Sequence, residues 1–299
     1  MKAYIITAIL ISLLLLSGAS GCPSFGQQTT TTAVTAAGLD VSFVTDAPPL
    51  SVSVNQEFPM YINVQNNGGD FVSKGAAKFY LAGAGPTIEN VKSVVSNEAT
   101  LEPASPSPYR VAFADRAKIT SPIVSLLMIP LAVTSCYNYG TTAQAPICVA
   151  KTNSSSLCSV SGDKAVTNTV APVQISGLSE NVVGNKLSIS FTIENKLNGQ
   201  IYLPDTDCDK LLQAQDFIEI SKNNKLSIKV SSTETELSCH IQSATPPYSS
   251  LDGLSGVSQV GKVTCEETVP STGDHVSPIY IILQYKYVSS MAKNLNVLP

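Results

Sequence analysis

In Phe58-Pro59-Met60-Tyr61-Ile62-Asn63-Val64 every second residue is apolar. A period of two puts those four side chains on one face of a strand and their neighbours on the other. The alternation returns in Leu187-Ser188-Ile189-Ser190-Phe191-Thr192-Ile193. A helix would need its apolar residues every 3.6 positions, so neither run can settle as one. Each run leads through asparagine into a glycine turn, at Asn66-Asn67-Gly68-Gly69 and at Asn195 to Gly199, residues that close strands. Further strands are predicted at Leu39 to Val44, Ala77 to Leu81, Tyr109 to Ala114 and Ile123 to Tyr139, the last broken by Pro130.

The two halves also share an order. Ser121-Pro122-Ile123-Val124 leads to Tyr137-Asn138-Tyr139, and Ser277-Pro278-Ile279-Tyr280 leads to Tyr285-Lys286-Tyr287. A repeated order with unequal loops is the signature of a duplicated domain. The fold class expected is all-β: two tandem Ig-like antiparallel β-sandwich domains, over 39–151 and 171–299. A polar linker over 152–170 separates them. The second copy is longer, and Leu211, Leu212, Ala214, Phe217 and Ile218 predict one short amphipathic helix within Asp205 to Ser221. The tyrosine pairs extend apolar strand faces, so they read as core residues whose hydroxyls reach the sandwich edge.

Residues 1–22 set the compartment. A single Lys2 precedes an apolar run from Tyr4 to Leu16, which has the length of a secretion signal and is short for a membrane span. Ser17-Gly18-Ala19-Ser20-Gly21-Cys22 follows and resembles the lipobox of prokaryotic lipoproteins, which implies that Cys22 is lipidated and becomes the mature N-terminus. An uncleaved anchor and a freely secreted chain are the alternatives. Residues 23–38, with Thr29-Thr30-Thr31-Thr32, read as a tether. Asn153-Ser154-Ser155 is a glycosylation sequon in a polar loop.

Six more cysteines, Cys136, Cys148, Cys158, Cys208, Cys239 and Cys265, point to disulfides in an exported chain. Cys239 and Cys265 are expected to close a loop inside the second copy. Cys136 and Cys148 flank Gly140-Thr141-Thr142-Ala143, a turn that would let them bridge a hairpin. The competing pair is Cys148 with Cys158, which leaves Cys136 to reach Cys208 across the domain boundary.

The charge balance is 22 acidic against 18 basic residues, and Arg110 and Arg116 are the only arginines. That offers no positive footprint for phosphates, so nucleic acid is not an expected partner. Asp205, Asp207 and Asp209 alternate as in calcium loops, but Lys210 stands where such a loop uses glycine. A helix N-terminus accounts for the same acids. His240 and His275 lack a serine–base–acid pattern, and no catalytic residue, metal or cofactor is expected.

Leu39-Asp40-Val41-Ser42-Phe43-Val44, Phe58 to Val64 with its Asn-Asn-Gly-Gly end, and Lys78-Phe79-Tyr80-Leu81 together resemble the CARDB-type Ig-like domains of archaeal and bacterial surface lipoproteins. The resemblance implies a surface module for adhesion or spacing and contributes no catalytic residue. The expected protein is a non-enzymatic, membrane-anchored prokaryotic surface protein that meets other surface proteins or copies of itself. The rival reading is an extracellular substrate-binding or accessory lipoprotein delivering a small ligand.

Overall fold

Strand pairing accounts for most of the backbone. The computed structural model describes residues 36–151, 155–183, 186–232, 238–241, 250–251, 255–259, 261–268 and 273–299. Strands make up 59% of it and helices 5%, so the chain is all-β, as its alternation requires. The signal-like segment, Cys22, most of the Thr-rich tether and Asn153 lie outside the described residues.

Three sheets form. One runs β1 (Leu39–Phe43), β3 (Glu57–Asn66), β6 (Tyr109–Lys118). Another runs β15 (Ser250–Leu251), β14 (Ser238–Ile241), β17 (Gly261–Thr268), β11 (Lys186–Asn195), β10 (Val173–Val183), β8 (Gly162–Asp163). The largest runs β16 (Ser255–Gln259), β13 (Lys225–Ser232), β18 (His275–Leu298), β7 (Leu127–Val149), β4 (Ala77–Ala82), β5 (Val94–Ser96). Three short strands attach to it: β2 (Ser51–Ser53) and β12 (Gln200–Tyr202) on β18, and β9 (Thr167–Asn168) on β7. Phe58, Met60, Ile62 and Val64 of β3 and Leu187, Ile189, Phe191 and Ile193 of β11 are all buried. Period two has put both apolar sets inside.

The largest sheet is built on one long ribbon. β7 and β18 pair antiparallel without a register shift, from Leu127 opposite Val297 to Val149 opposite His275. The early half of β7 and the late half of β18 lie beside β4 and β2, in the first copy. The late half of β7 and the early half of β18 lie beside β9 and β13, in the second. The chain's last strand therefore returns to the first copy, and the two halves share a sheet instead of standing in series about a free linker. The stretch 152–170, expected as that linker, itself contributes β8 and β9.

Two local expectations fail for one reason. Neither the break at Pro130 nor the turn at Gly140 to Ala143 forms, because β7 buries alternate residues from Ile129 through Tyr139 to Val149. Pro130 and Pro146 fall on its outward face. Thr141, Ala143 and Ala145 hold inward positions but are too small to signal burial in sequence. Because the strand continues, Cys136 and Cys148 stand ~40 Å apart along it, and the hairpin bridge between them is excluded.

The expected single helix is two: α1 (Cys208–Leu212) and α2 (Phe217–Ile220), separated by Gln215 at φ 51°. Cys208 and Leu211 face inward, whereas Phe217 and Ile218 are 82% and 66% exposed. The expected apolar face is therefore split.

β7 and β18 each run through both halves of the chain, so neither half can melt without unzipping the other. One cooperative transition is the expected calorimetric outcome; two resolved transitions would show that the halves unfold separately.

Candidate functional site

Four tyrosines occupy the centre of the ribbon, where Tyr137 lies opposite Tyr287 and Tyr139 opposite Tyr285. All four are buried, and neighbouring rings meet edge-on or tilted at 5.8 to 6.4 Å between centroids, the geometry that aromatic quadrupoles favour. Burial raises the phenol pKa of each, that of Tyr139 to about 12. They stay protonated and free to donate.

Their hydroxyls make the same lock twice. In the first copy the Asn66 amide nitrogen donates to the Asp70 carbonyl (2.7 Å) and its oxygen accepts from the Gly68 N–H (3.2 Å). The Tyr139 hydroxyl donates to that same Asn66 oxygen (3.0 Å) and accepts from the Asp70 N–H (3.4 Å). In the second copy Asn195 donates to the Gly199 carbonyl (2.7 Å) and accepts from the Leu197 N–H (3.3 Å). The Tyr287 hydroxyl donates to Asn195 (3.3 Å) and accepts from the Gly199 N–H (2.8 Å). The other two tyrosines accept from the first residues of paired strands, Tyr137 from the Leu39 N–H (3.2 Å) and Tyr285 from the Val173 N–H (3.3 Å). Leu39 pairs with Asn66 and Val173 with Asn195, so the copies agree in register as well.

Beside the first lock lies a cavity of about 360 Å³, lined in part by Asp70, Phe71, Asn138, Gly140 and Gln284. The Asp70 carboxylate accepts from the Phe71 N–H (3.0 Å). Desolvation raises its pKa, while the Phe71 and Gly140 N–H groups pull the other way. The Asn66 and Tyr139 bonds, with Gly69 N–H to the Val170 carbonyl (2.6 Å), fix the turn that carries Asp70. Sequence reasoning took this turn only as a strand ending. The repeated asparagine before each glycine turn was the available signal, and its tyrosine partners were far away in the chain.

The cysteines form three bonds: Cys136–Cys208, Cys148–Cys158 and Cys239–Cys265, with S–S distances of 2.05, 1.99 and 2.06 Å. The first joins the copies, and Lys78 strengthens that join by pairing with Asp209 at 2.5 Å, beside a Tyr80 hydroxyl that donates to Asp209 at 2.8 Å. Lys78 and Tyr80 hold the Asp209 carboxyl below its ordinary range. The three aspartates considered for calcium go separate ways. Asp205 pairs with Lys222 (3.2 Å), and Asp207 caps α1 through the Asp209 and Lys210 N–H groups. Among the described residues no cluster of His, Cys, Asp or Glu could hold a metal ion, and no helix is long and apolar enough to cross a membrane. Three disulfides fit an extracellular protein.

No protein-family model matches the chain, and no curated protein matches it in sequence. Among solved structures it is matched to the secreted serine protease VesC from Vibrio cholerae at 14% identity and a TM-score of 0.19. The match covers 81% of this chain and 49% of that one, so this chain spans about half the protease's length. The finding contradicts the expectation of a non-enzymatic chain, which is not carried further. A likeness at that TM-score carries no argument for proteolysis.

Two predictions follow from these contacts. Asn195→Ala strips partners from the buried Tyr287 hydroxyl and the Gly199 carbonyl, and should cost about 2 to 3 kcal/mol in denaturant titration. Glu180, whose side chain is fully buried, accepts from the Cys148 N–H and lies 3.0 Å from the Lys164 ammonium. Burial outweighs both and raises its pKa above 4.5. The fold then binds this proton more tightly than the unfolded chain does, so stability falls as pH rises from 4.5 through the raised value and levels off above it. Glu180→Gln should remove that decline, which unfolding midpoints of both proteins across pH will show.

Proposed function

We propose that this is an exported protein, held to the outer face of the membrane at Cys22, with a binding or structural role at the prokaryotic cell surface. The observation that supports the reading best is the ribbon. It fixes two sandwiches to each other through 23 residues of β7, the buried tyrosines and the Cys136–Cys208 bond. Such a body can present one surface in constant relation to its point of attachment. The three disulfides belong to an oxidising compartment, and the Thr-rich tract before the first strand gives the length of chain a surface module needs to stand off a membrane. The resemblance of 39–81 to CARDB-type domains supports the same role in adhesion, envelope organisation or assembly with other surface proteins.

Labelling of intact cells with a membrane-impermeant amine reagent tests the location. The chain's lysines should react before lysis, and reaction only after lysis would overturn the reading. Cys22→Ser should move the protein from the membrane fraction into the medium; continued retention would instead identify an uncleaved anchor.

A further inference from the structure

The repeated lock allows the two copies to be compared residue by residue, and beside it they diverge. In the second copy the residue gripped by Asn195 is Gly199. A Cβ there would strike the Tyr287 ring at 2.4 Å. The strand residue after Tyr287 is Val288, buried in one cluster with Cys136, Tyr202 and the α1 residues Cys208 and Leu211. In the first copy the matching residues are Asp70 and Gly140: a carboxylate on the turn and no side chain on the strand. A Cβ on Gly140 would meet Asp70 Oδ2 at 2.9 Å, so the bare strand position is what admits the carboxylate. Cys136, which binds α1 through Cys208, is matched across the ribbon by Gln284.

One copy thus fills this place with Cys208 and Leu211 of α1, and the other leaves an open cavity whose walls mix polar groups with apolar ones. The lock does not demand the exchange. Asn66 and Tyr139 grip only the backbone of Asp70, as Asn195 and Tyr287 grip that of Gly199. The Asp70 carboxylate accepts from the Phe71 N–H and the Gly140 N–H and takes no part in the lock itself.

We propose that this cavity binds a hexose-sized sugar residue, with the Asp70 carboxylate and the Asn138 and Gln284 amides at its hydroxyls and the Phe71 ring against its C–H face. A cavity of about 360 Å³ is in the range of small-ligand sites. A carboxylate only accepts, whereas an amide both donates and accepts; together they suit adjacent hydroxyls, which do both. Phe71 is 57% exposed, leaving a ring free for the apolar side of a pyranose. A bare ammonium would use the carboxylate and the amide oxygens but leave the amide N–H donors unused. The inference goes beyond the surface role proposed above and does not depend on it.

The test is titration of the whole protein with the methyl glycosides of glucose, galactose, mannose and N-acetylglucosamine, read by saturation-transfer NMR and calorimetry. At least one should bind. Asp70→Asn should weaken that binding by roughly tenfold or more, as a charged acceptor becomes neutral. Phe71→Ser, at a residue 57% exposed, should weaken it too, and Gly140→Val, importing the second copy's residue, should abolish it. Circular dichroism matching the parent shows each variant folded. No binding of any glycoside overturns the proposal, as does binding that both Asp70→Asn and Phe71→Ser leave intact. Asp70-dependent binding of lysine methyl ester with none of the glycosides would make the site one for cations and overturn it equally.

Discussion

The fold hangs on the antiparallel pairing of Leu127–Val149 with His275–Leu298. Each strand runs through both halves of the chain, so each lines the core that the two halves share. Pairing on this scale satisfies the backbone groups of two long segments at once, and period two then places every inward side chain without further instruction. The tyrosines at the crossing fill the middle of this ribbon, where the inward faces of the two halves meet. Large rings close that junction, and hydroxyls at their tips allow the same residues to reach the polar turns of the facing sheets.

The Asn–Tyr lock joins what the ribbon alone would leave apart. A turn that closes a strand leaves N–H and C=O groups without ladder partners. Here one asparagine and one phenol satisfy both ends of the turn and tie it to the ribbon. Because the tyrosine comes from a distant strand, the bond also fixes how the outer sheet sits over the inner one. Two copies of this arrangement, one carried by Tyr139 and one by Tyr287, hold each half by the same means. With the lock carried by backbone and asparagine, the residues beside it were free to diverge. One copy took an insert, a disulfide and a buried valine; the other took a carboxylate, a glycine and an open cavity.

The cross-copy contacts work in the same direction. Cys136–Cys208, Lys78 with Asp209 and the Tyr80 hydroxyl all tie α1 of the second copy to β4 and β7 of the first. The ion pair is half exposed and contributes little by itself. Lys78 and Tyr80 engage Asp209, while Asp205 pairs with Lys222 and Asp207 caps α1. Spacing in sequence brought these acids together, and the fold gives each a different partner.

By itself the sequence determined the class of structure and the inward faces of its clearest strands, because alternation is local and a backbone can obey it in only one way. It also showed a repeated order of strand endings and tyrosine pairs in its two halves. The tertiary structure decided what those local rules leave open. Pro130 and the stretch from Gly140 to Ala143 look like interruptions because proline, glycine and alanine carry no burial signal, yet a partner strand held them extended. The disulfide partners of Cys136 and Cys148 followed from that extension. Asp70 drew no notice in sequence, since an acid after a glycine turn is ordinary, and Gly140 was read only as part of a turn. Only the ribbon brought them together, and only the second copy, with Gly199 and Val288 in their places, shows that the exchange was not required by the lock.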